Sequence, residues 1–497
     1  MTARLPPLLL AALLLASHAA LADEPTLAPV DCWFPVPAGH AAKCYRLTVP
    51  ESRAGGSRRP LTLPVAVVAG AGTPHHDDPI VYLTGGPGSA VGLYPDAMAE
   101  WWPYIDKVPW LQGRDLVLMD QRGAGLAEPD LDCPEIAAVG LELLKRSGDA
   151  AGRRTVYVAA AEACRKRWVA AGYDPGDFDT AAAAADFAAL RRALGIGRWN
   201  IYSVSYGTRL ALTLMHDHPE GLRAVILDSA YPPEEHFFET RRAAIDASFA
   251  AVARACAADA ACAKAAPDLR RAVIDLVARY DARPVLVPLK DDKTGTTEQI
   301  PFTGALVLEQ ALSIIDEGNA LAELPALVDG LGKGDPKTLE DTLSGLAAGY
   351  LSPGYFSPGK YFAVDCKEEV PFTDERRREA DRLAHPWLEN YGLLADDWYA
   401  CAGWVGPDAR RVSKAPVASD IPTLVLQGAF DEITPPEVGR LAASRLSHGY
   451  YREFPEVGHK VVDQSVCGQR IAARFLDRPE VSPDDPCLAG KPVRPTW

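Results

Sequence analysis

The sequence predicts an α/β protein with a mostly parallel sheet, flanked by helices and interrupted by a large helical insertion. Three observations carry this. Short apolar runs that read as buried strands alternate with helical segments, the pattern of a parallel sheet covered on both faces. That alternation stops between about Pro232 and Ser419, where alanine-, leucine- and charge-rich stretches read as helical hairpins. Strand-like segments then resume at Thr423 in the earlier style, which favours an insertion over a second sequential domain.

The elements follow in order. "CWFPVPAGHAAKCYRLTVPES" reads as a hairpin stapled by Cys32 and Cys44. Leu61–Gly70 is a strand, Pro79–Ser89 a short strand running into a glycine loop, and Asp115–Asp120 a strand ending in a glycine turn. Ala181–Ile196 is a helix with an apolar stripe at Phe187, Leu190 and Leu194, ending at Gly195. "RWNIYSVSYGTRLALTLMHDHPE" reads as strand, sharp turn and helix, and Leu222–Ala230 as a further strand. "IPTLVLQGAFDEITPP" and "GYYREFPEVGH" supply two more.

Composition sets limits. The chain has 497 residues, 48% hydrophobic and 24% charged, enough to bury a large core. Its net charge of −15 argues against a nucleic-acid backbone as partner. The N-terminal run, with Arg4, an apolar stretch and Ala20-Leu21-Ala22, is expected to be a signal peptide cleaved after Ala22, making the mature protein exported. In an oxidising compartment the ten cysteines suggest sequential disulfides: Cys32–Cys44, Cys133–Cys164, Cys256–Cys262, Cys366–Cys401 and Cys467–Cys487. Connectivity is not fixed by sequence. No C-x-x-C or His-x-x-x-His accompanies them, so neither a metal nor a cofactor is expected.

Four loops at strand ends hold the candidate chemistry, since open α/β sheets present reactive groups beyond the carboxyl ends of their strands. "SVSYG" places Ser205 at the tip of a strand-to-helix turn, with Ser203 and Gly207 as its small neighbours. Asp431 follows the strand Thr423–Gln427, with Glu432 as its competitor. His459 follows a short strand and a glycine. The order Ser205, Asp431, His459 suits a nucleophile, an orienting acid and a base. "TGGPGS" offers backbone N–H groups at Gly85 and Gly86 that, with the N–H of Tyr206, would hold an oxyanion. The phosphate-loop signatures G-K-[ST] and G-x-G-x-x-G are missing there.

Together these blocks resemble the α/β-hydrolase fold, and more narrowly the proline iminopeptidase and tripeptidyl aminopeptidase family of serine peptidases. "GGPGS" resembles its oxyanion loop, "DQRGAG" its D-Q-R-G-x-G turn and "SVSYGT" its G-x-S-Y-G-T elbow. "CKE" (366–368) and "CAGW" (401–404) resemble two cysteine motifs of the tripeptidyl branch. The resemblance implies hydrolysis that releases residues from free peptide N-termini, with an esterase or amidase as the alternative and a non-catalytic binding protein as the third reading. It makes Glu368 the first candidate for holding a substrate ammonium, Glu234 and Glu235 weaker ones, and Trp404 a candidate wall of the substrate pocket. Three positions depart from the pattern: Thr84 before the glycine loop, Ser203 for the first elbow glycine, and Lys460 where a glycine commonly follows the histidine. The expected division is 1–22 signal, 23–235 first part of the hydrolase domain, 236–414 helical cap and 415–497 second part.

Overall fold

The computed structural model describes residues 25–53, 59–290, 295–351, 354–391, 393–404, 412–490 and 493–495. The expected signal peptide lies outside them.

The main sheet has nine strands: β1 (Thr26–Val30), β2 (Ala42–Pro50), β3 (Pro60–Val68), β4 (Ile80–Leu83), β5 (Leu116–Met119), β6 (Trp199–Val204), β7 (Leu222–Asp228), β10 (Thr423–Gly428) and β11 (Gly449–Phe454). Their spatial order is β1-β2-β3-β5-β4-β6-β7-β10-β11. The first three strands pair antiparallel, as does β3 with β5. From β5 to β11 every pairing is parallel. Every residue of β5, β6 and β10 is buried, which is why these strands read as unbroken apolar runs rather than alternating ones.

Alternate residues feed two cores. Val81, Leu83, Ile201, Val225 and Val425 pack on one face, against the helices Thr180–Ala193 and Tyr206–Asp217. Ile80, Tyr202, Ile226, Leu424 and Leu426 pack on the other, against the helices Pro95–Lys107 and Val466–Asp477. Each fully buried aliphatic or aromatic side chain contributes about 1.5–3 kcal/mol of burial. The helix Thr180–Ala193 ends as its sequence suggests, with Gly195 at φ +69°.

Between β7 and β10 the chain forms most of a third core, centred on Phe249, Tyr280, Leu306, Leu312 and Leu324 and joined by Leu144 and Phe430. Its helices include Phe237–Ala258, Leu269–Ala282 and Gly304–Asp316. One part departs from the all-helical expectation. Val285–Lys290 (β8) and Thr297–Phe302 (β9) form an antiparallel hairpin. Its buried residues alternate at Val287 and Leu289, then at Ile300 and Phe302, the period-2 pattern of a half-buried sheet.

The inserted layer grips the loops beyond β10 and β11. Ser248 Oγ donates to the Phe430 carbonyl at 2.7 Å, and Gln464 Nε2 to the Asp316 carbonyl at 2.6 Å. A Cβ on Gly458 would lie 2.1 Å from the Ile315 carbonyl oxygen, so only glycine permits that approach. Among the described residues no helix is long and apolar enough to cross a membrane.

Candidate active site

β6 ends at Val204, and Ser205 follows it with its backbone at φ 57°, ψ −129° before the helix Tyr206–Asp217 begins. Such a conformation costs a non-glycine residue about 1–3 kcal/mol and must be held by its surroundings. Ser205 N donates to the Asp228 carbonyl at 3.0 Å, and Thr208 Oγ1 donates to the Ser205 carbonyl at 2.6 Å. A Cβ on Gly207 would lie 2.1 Å from the Leu83 carbonyl oxygen, and one on Gly85 2.9 Å from the Ser205 Cβ. Glycine at these two positions is therefore a condition of the turn.

Ser203 points the other way. It is fully buried, and its Oγ donates to the Ile226 carbonyl of neighbouring β7 at 2.7 Å. A serine takes the first elbow position by making this bond into the sheet. Of the two serines, Ser205 alone lines the cavity described below.

Asp431 lies just past β10 and is 1% exposed. Its Oδ2 accepts from His459 Nδ1 at 2.9 Å, Thr434 Oγ1 at 2.8 Å and Gln427 Nε2 at 3.1 Å. Its Oδ1 accepts from the N–H groups of Ile433 and Thr434. Burial would raise this carboxyl, but the His459 imidazole beside it and these hydrogen bonds hold it below the ordinary carboxylate value. The competitor Glu432 turns away and pairs with Arg241 at 3.1 Å.

His459 is 6% exposed and its loop is pinned from both sides. Lys460 N donates to Ser229 Oγ at 2.9 Å, and Val461 N and Val462 N to the Asp228 carboxylate at 2.7 and 2.9 Å. Gln464 Oε1 accepts from Gly458 N, while its Nε2 donates to the His459 carbonyl. Lys460 sits at φ 70°, a left-handed conformation that glycine adopts without strain. That accounts for the glycine expected there. Asp228 is a positioning residue that sequence reasoning missed: its main-chain oxygen holds Ser205, and its carboxylate holds the chain just after His459. The one signal for it was a lone acid ending an apolar strand.

Gly85 and Gly86 follow β4, with Gly86 at φ +106°. Tyr206 opens its helix, so its N–H lies in the first turn, where no intrahelical acceptor exists. The glycine loop is braced by the "DQRGAG" turn. Gln121 Nε2 donates to the Thr84 carbonyl at 3.0 Å. Asp120 accepts from Val91 N at 2.7 Å and Leu126 N at 2.8 Å. Thr84 thus serves through its backbone.

Over Ser205 opens a cavity of about 540 Å³. Gly86, Ser205 and Tyr206 line it from the sheet side, and Phe237, Tyr361 and Tyr391 from the inserted layer.

A family model described as the alpha/beta hydrolase fold matches residues 78–329, just over half of the chain. This chain belongs to the α/β-hydrolase fold family. A second model, of TAP-like proteins, matches residues 391–487 of the hydrolase. Serine protease Hip1 of Mycobacterium tuberculosis and of Mycobacterium bovis is 27% identical over 307 residues, a match covering 56% of each chain. The chain therefore spans about half the length of the curated relatives it matches. Among solved structures, the proline iminopeptidase of Mycobacterium smegmatis is 16% identical, covering 88% of this chain and 98% of that one with a TM-score of 0.35. A thermophilic esterase of Thermogutta terrifontis is 15% identical, covering 88% and 99%, with a TM-score of 0.37.

Glu368 and Trp404, the two residues expected to bind substrate, do not line this cavity. Glu368 is buried, with Oε1 accepting from Thr180 N and Oε2 from Thr180 Oγ1, both at 2.7 Å. Since Thr180 Oγ1 spends its proton on Glu368, the Tyr206 hydroxyl, 2.8 Å away, donates to it. Glu368 thus braces the elbow tyrosine from behind and does not line the cavity over Ser205. Trp404 packs on Phe362 in the core, with ring centroids 5.0 Å apart. Glu234 and Glu235 do not line the cavity either. The cysteines form five disulfides, Cys32–Cys44, Cys133–Cys164, Cys256–Cys262, Cys366–Cys401 and Cys467–Cys487.

Proposed function

We propose that this α/β hydrolase is an exported serine peptidase that releases residues or short peptides from free peptide N-termini through an acyl-enzyme. Ser205 Oγ attacks the scissile carbonyl. His459 takes its proton and passes it to the leaving amine, while Asp431 holds the imidazole in orientation and balances its charge. The N–H groups of Tyr206 and of the Gly85–Gly86 loop receive the oxyanion. Water, activated by His459, then releases the acyl group.

The observation that carries this reading is the pairing of Asp431 with His459 at 2.9 Å, beyond the carboxyl ends of the parallel strands, where β6 presents Ser205 in its strained turn. The cavity falls within the range of small-ligand pockets. It has room for a few residues and not for a folded chain, which supports action on chain ends. The described part of the inserted layer, which lines the cavity with Phe237, Tyr361 and Tyr391, serves as its lid. Export is supported by the disulfides, since such bonds persist in oxidising compartments.

A second reading is a carboxylesterase or amidase with the same three residues. It is favoured by Glu368, which is engaged with Thr180 instead of awaiting an ammonium. The test is a fluorophosphonate probe followed by product analysis on a defined peptide library. The peptidase reading expects labelling that Ser205→Ala abolishes, and products that accumulate from the N-terminal end. Labelling that persists in Ser205→Ala, or cleavage confined to neutral esters, would sink it.

A further inference from the structure

We propose that Asp365 and Asp397 form the site that holds the substrate's N-terminal ammonium, a proposal that rests on the peptidase reading above. Both line the cavity that contains Ser205. Asp365 is 5% exposed and Asp397 6%. Asp397 receives the hydroxyls of Tyr157 at 2.5 Å and Tyr361 at 3.0 Å.

What distinguishes the pair from its acidic neighbours is the missing cation. Asp396, next in sequence, pairs with Arg153 at 2.9 Å and with Arg154. Glu369 pairs with Arg209 and Lys414. Arg241, which also lines the cavity, is taken by Glu432. Among the described residues neither Asp365 nor Asp397 makes an ion pair, and the cation that acts on Asp365 from a distance, Arg209, is paired with Glu369. A buried carboxyl without a countercharge is costly. Accordingly, burial above all pushes Asp397 up to about 7 and Asp365 well above the carboxylate range. An ammonium in the cavity they line supplies the missing charge, in a setting where charge-assisted bonds are strong.

The segments that carry the two carboxylates are also tied together. Asp365 lies on the helix Pro358–Glu368 and Asp397 on the helix Leu393–Ala400. The disulfide Cys366–Cys401 joins these segments one residue beyond Asp365 and four beyond Asp397. Tyr361, on the first helix, bonds the carboxylate on the second. A site fixed in this way is suited to reading one end of a short peptide.

The test compares alanine-based coumarin amides of one to three residues, each with a free or N-acetylated amine, and a neutral acetate ester. It uses the wild-type chain, Asp397→Asn and Asp365→Asn. Asparagine keeps the shape and can still bond the tyrosines, and ester turnover reports that each variant is folded. The expected result is that wild type favours free amines, and that each substitution lowers kcat/KM on them by ~10-fold or more through KM. The acetylated amides and the ester should lose far less than the free amines. A free-amine preference that survives both substitutions, or equal losses on all substrates, overturns the proposal alone. A wild-type chain that cleaves the ester and none of the amides overturns the peptidase reading and this site with it.

Discussion

The carboxylate of Asp228 accepts from Val461 N at 2.7 Å while its carbonyl accepts from Ser205 N at 3.0 Å. One residue at the end of β7 therefore sets the elbow and the histidine loop relative to each other. Asp228→Ala removes the loop's anchor and leaves two buried N–H groups without an acceptor. Misplacement of a reacting group by about 1 Å can cost ~100-fold in rate. The expected outcome is a kcat lower by ~10–100-fold with KM little changed. Asp228→Asn, which keeps one acceptor oxygen, should recover part of that loss. Steady-state kinetics on a small ester would check it, and equal rates for all three chains would refute the positioning role.

Ser203 and Ser205 differ in where their hydroxyls go, which makes them separable. Ser205→Ala should abolish turnover and covalent labelling. Ser203→Ala loses one buried hydrogen bond to Ile226, a stability cost of about 1 kcal/mol, and should keep most activity. Titration of active sites alongside thermal melts would measure both. An active Ser205→Ala with an inactive Ser203→Ala would reverse the assignment.

Asp431→Asn tests the orienting acid. The amide keeps the size of the side chain but presents a donor where His459 Nδ1 needs an acceptor, favouring the wrong tautomer. A kcat reduced by roughly 10³–10⁴ is expected, with substrate binding largely retained. Glu432→Gln breaks the pairing with Arg241 instead and should leave far more activity. Equal losses in the two variants would show that the acid had been chosen wrongly.

The elbow could be read from sequence because its demands are local: a strand, a tip residue, small neighbours and a helix within a dozen positions. The position of Gly85 just after β4, and of Asp431 nearer than Glu432 to the end of β10, is visible in the chain in the same way. The surroundings of Glu368 were not legible, for the opposite reason. Its motif fixes where it sits on a helix, but tertiary packing decides that Thr180 is its partner. Asp365 and Asp397 carry no motif at all, and become neighbours of one cavity only through the folding of the inserted layer. The β8–β9 hairpin was legible in its alternation at Val287, Leu289, Ile300 and Phe302, a signal hidden by the helical stretches on either side.

Glu309 gives the stability a predictable pH dependence. It lies on the helix Gly304–Asp316, 7% exposed, with the Tyr350 hydroxyl 2.8 and 3.0 Å from its two oxygens. Burial pushes its carboxyl up to about 7, from 4.5 in the unfolded chain, while the Tyr350 bond and Arg153 pull it back. The folded state therefore holds a proton that the unfolded chain releases between these values. This contribution is full below pH 4.5 and is lost as pH rises through about 7. Glu309→Gln removes the titration and keeps an acceptor for Tyr350. Its stability relative to wild type should rise between pH 5 and pH 8 by on the order of 2 kcal/mol. Urea unfolding of both chains at the two pH values measures this difference directly, and a gap between them that does not change with pH would contradict it.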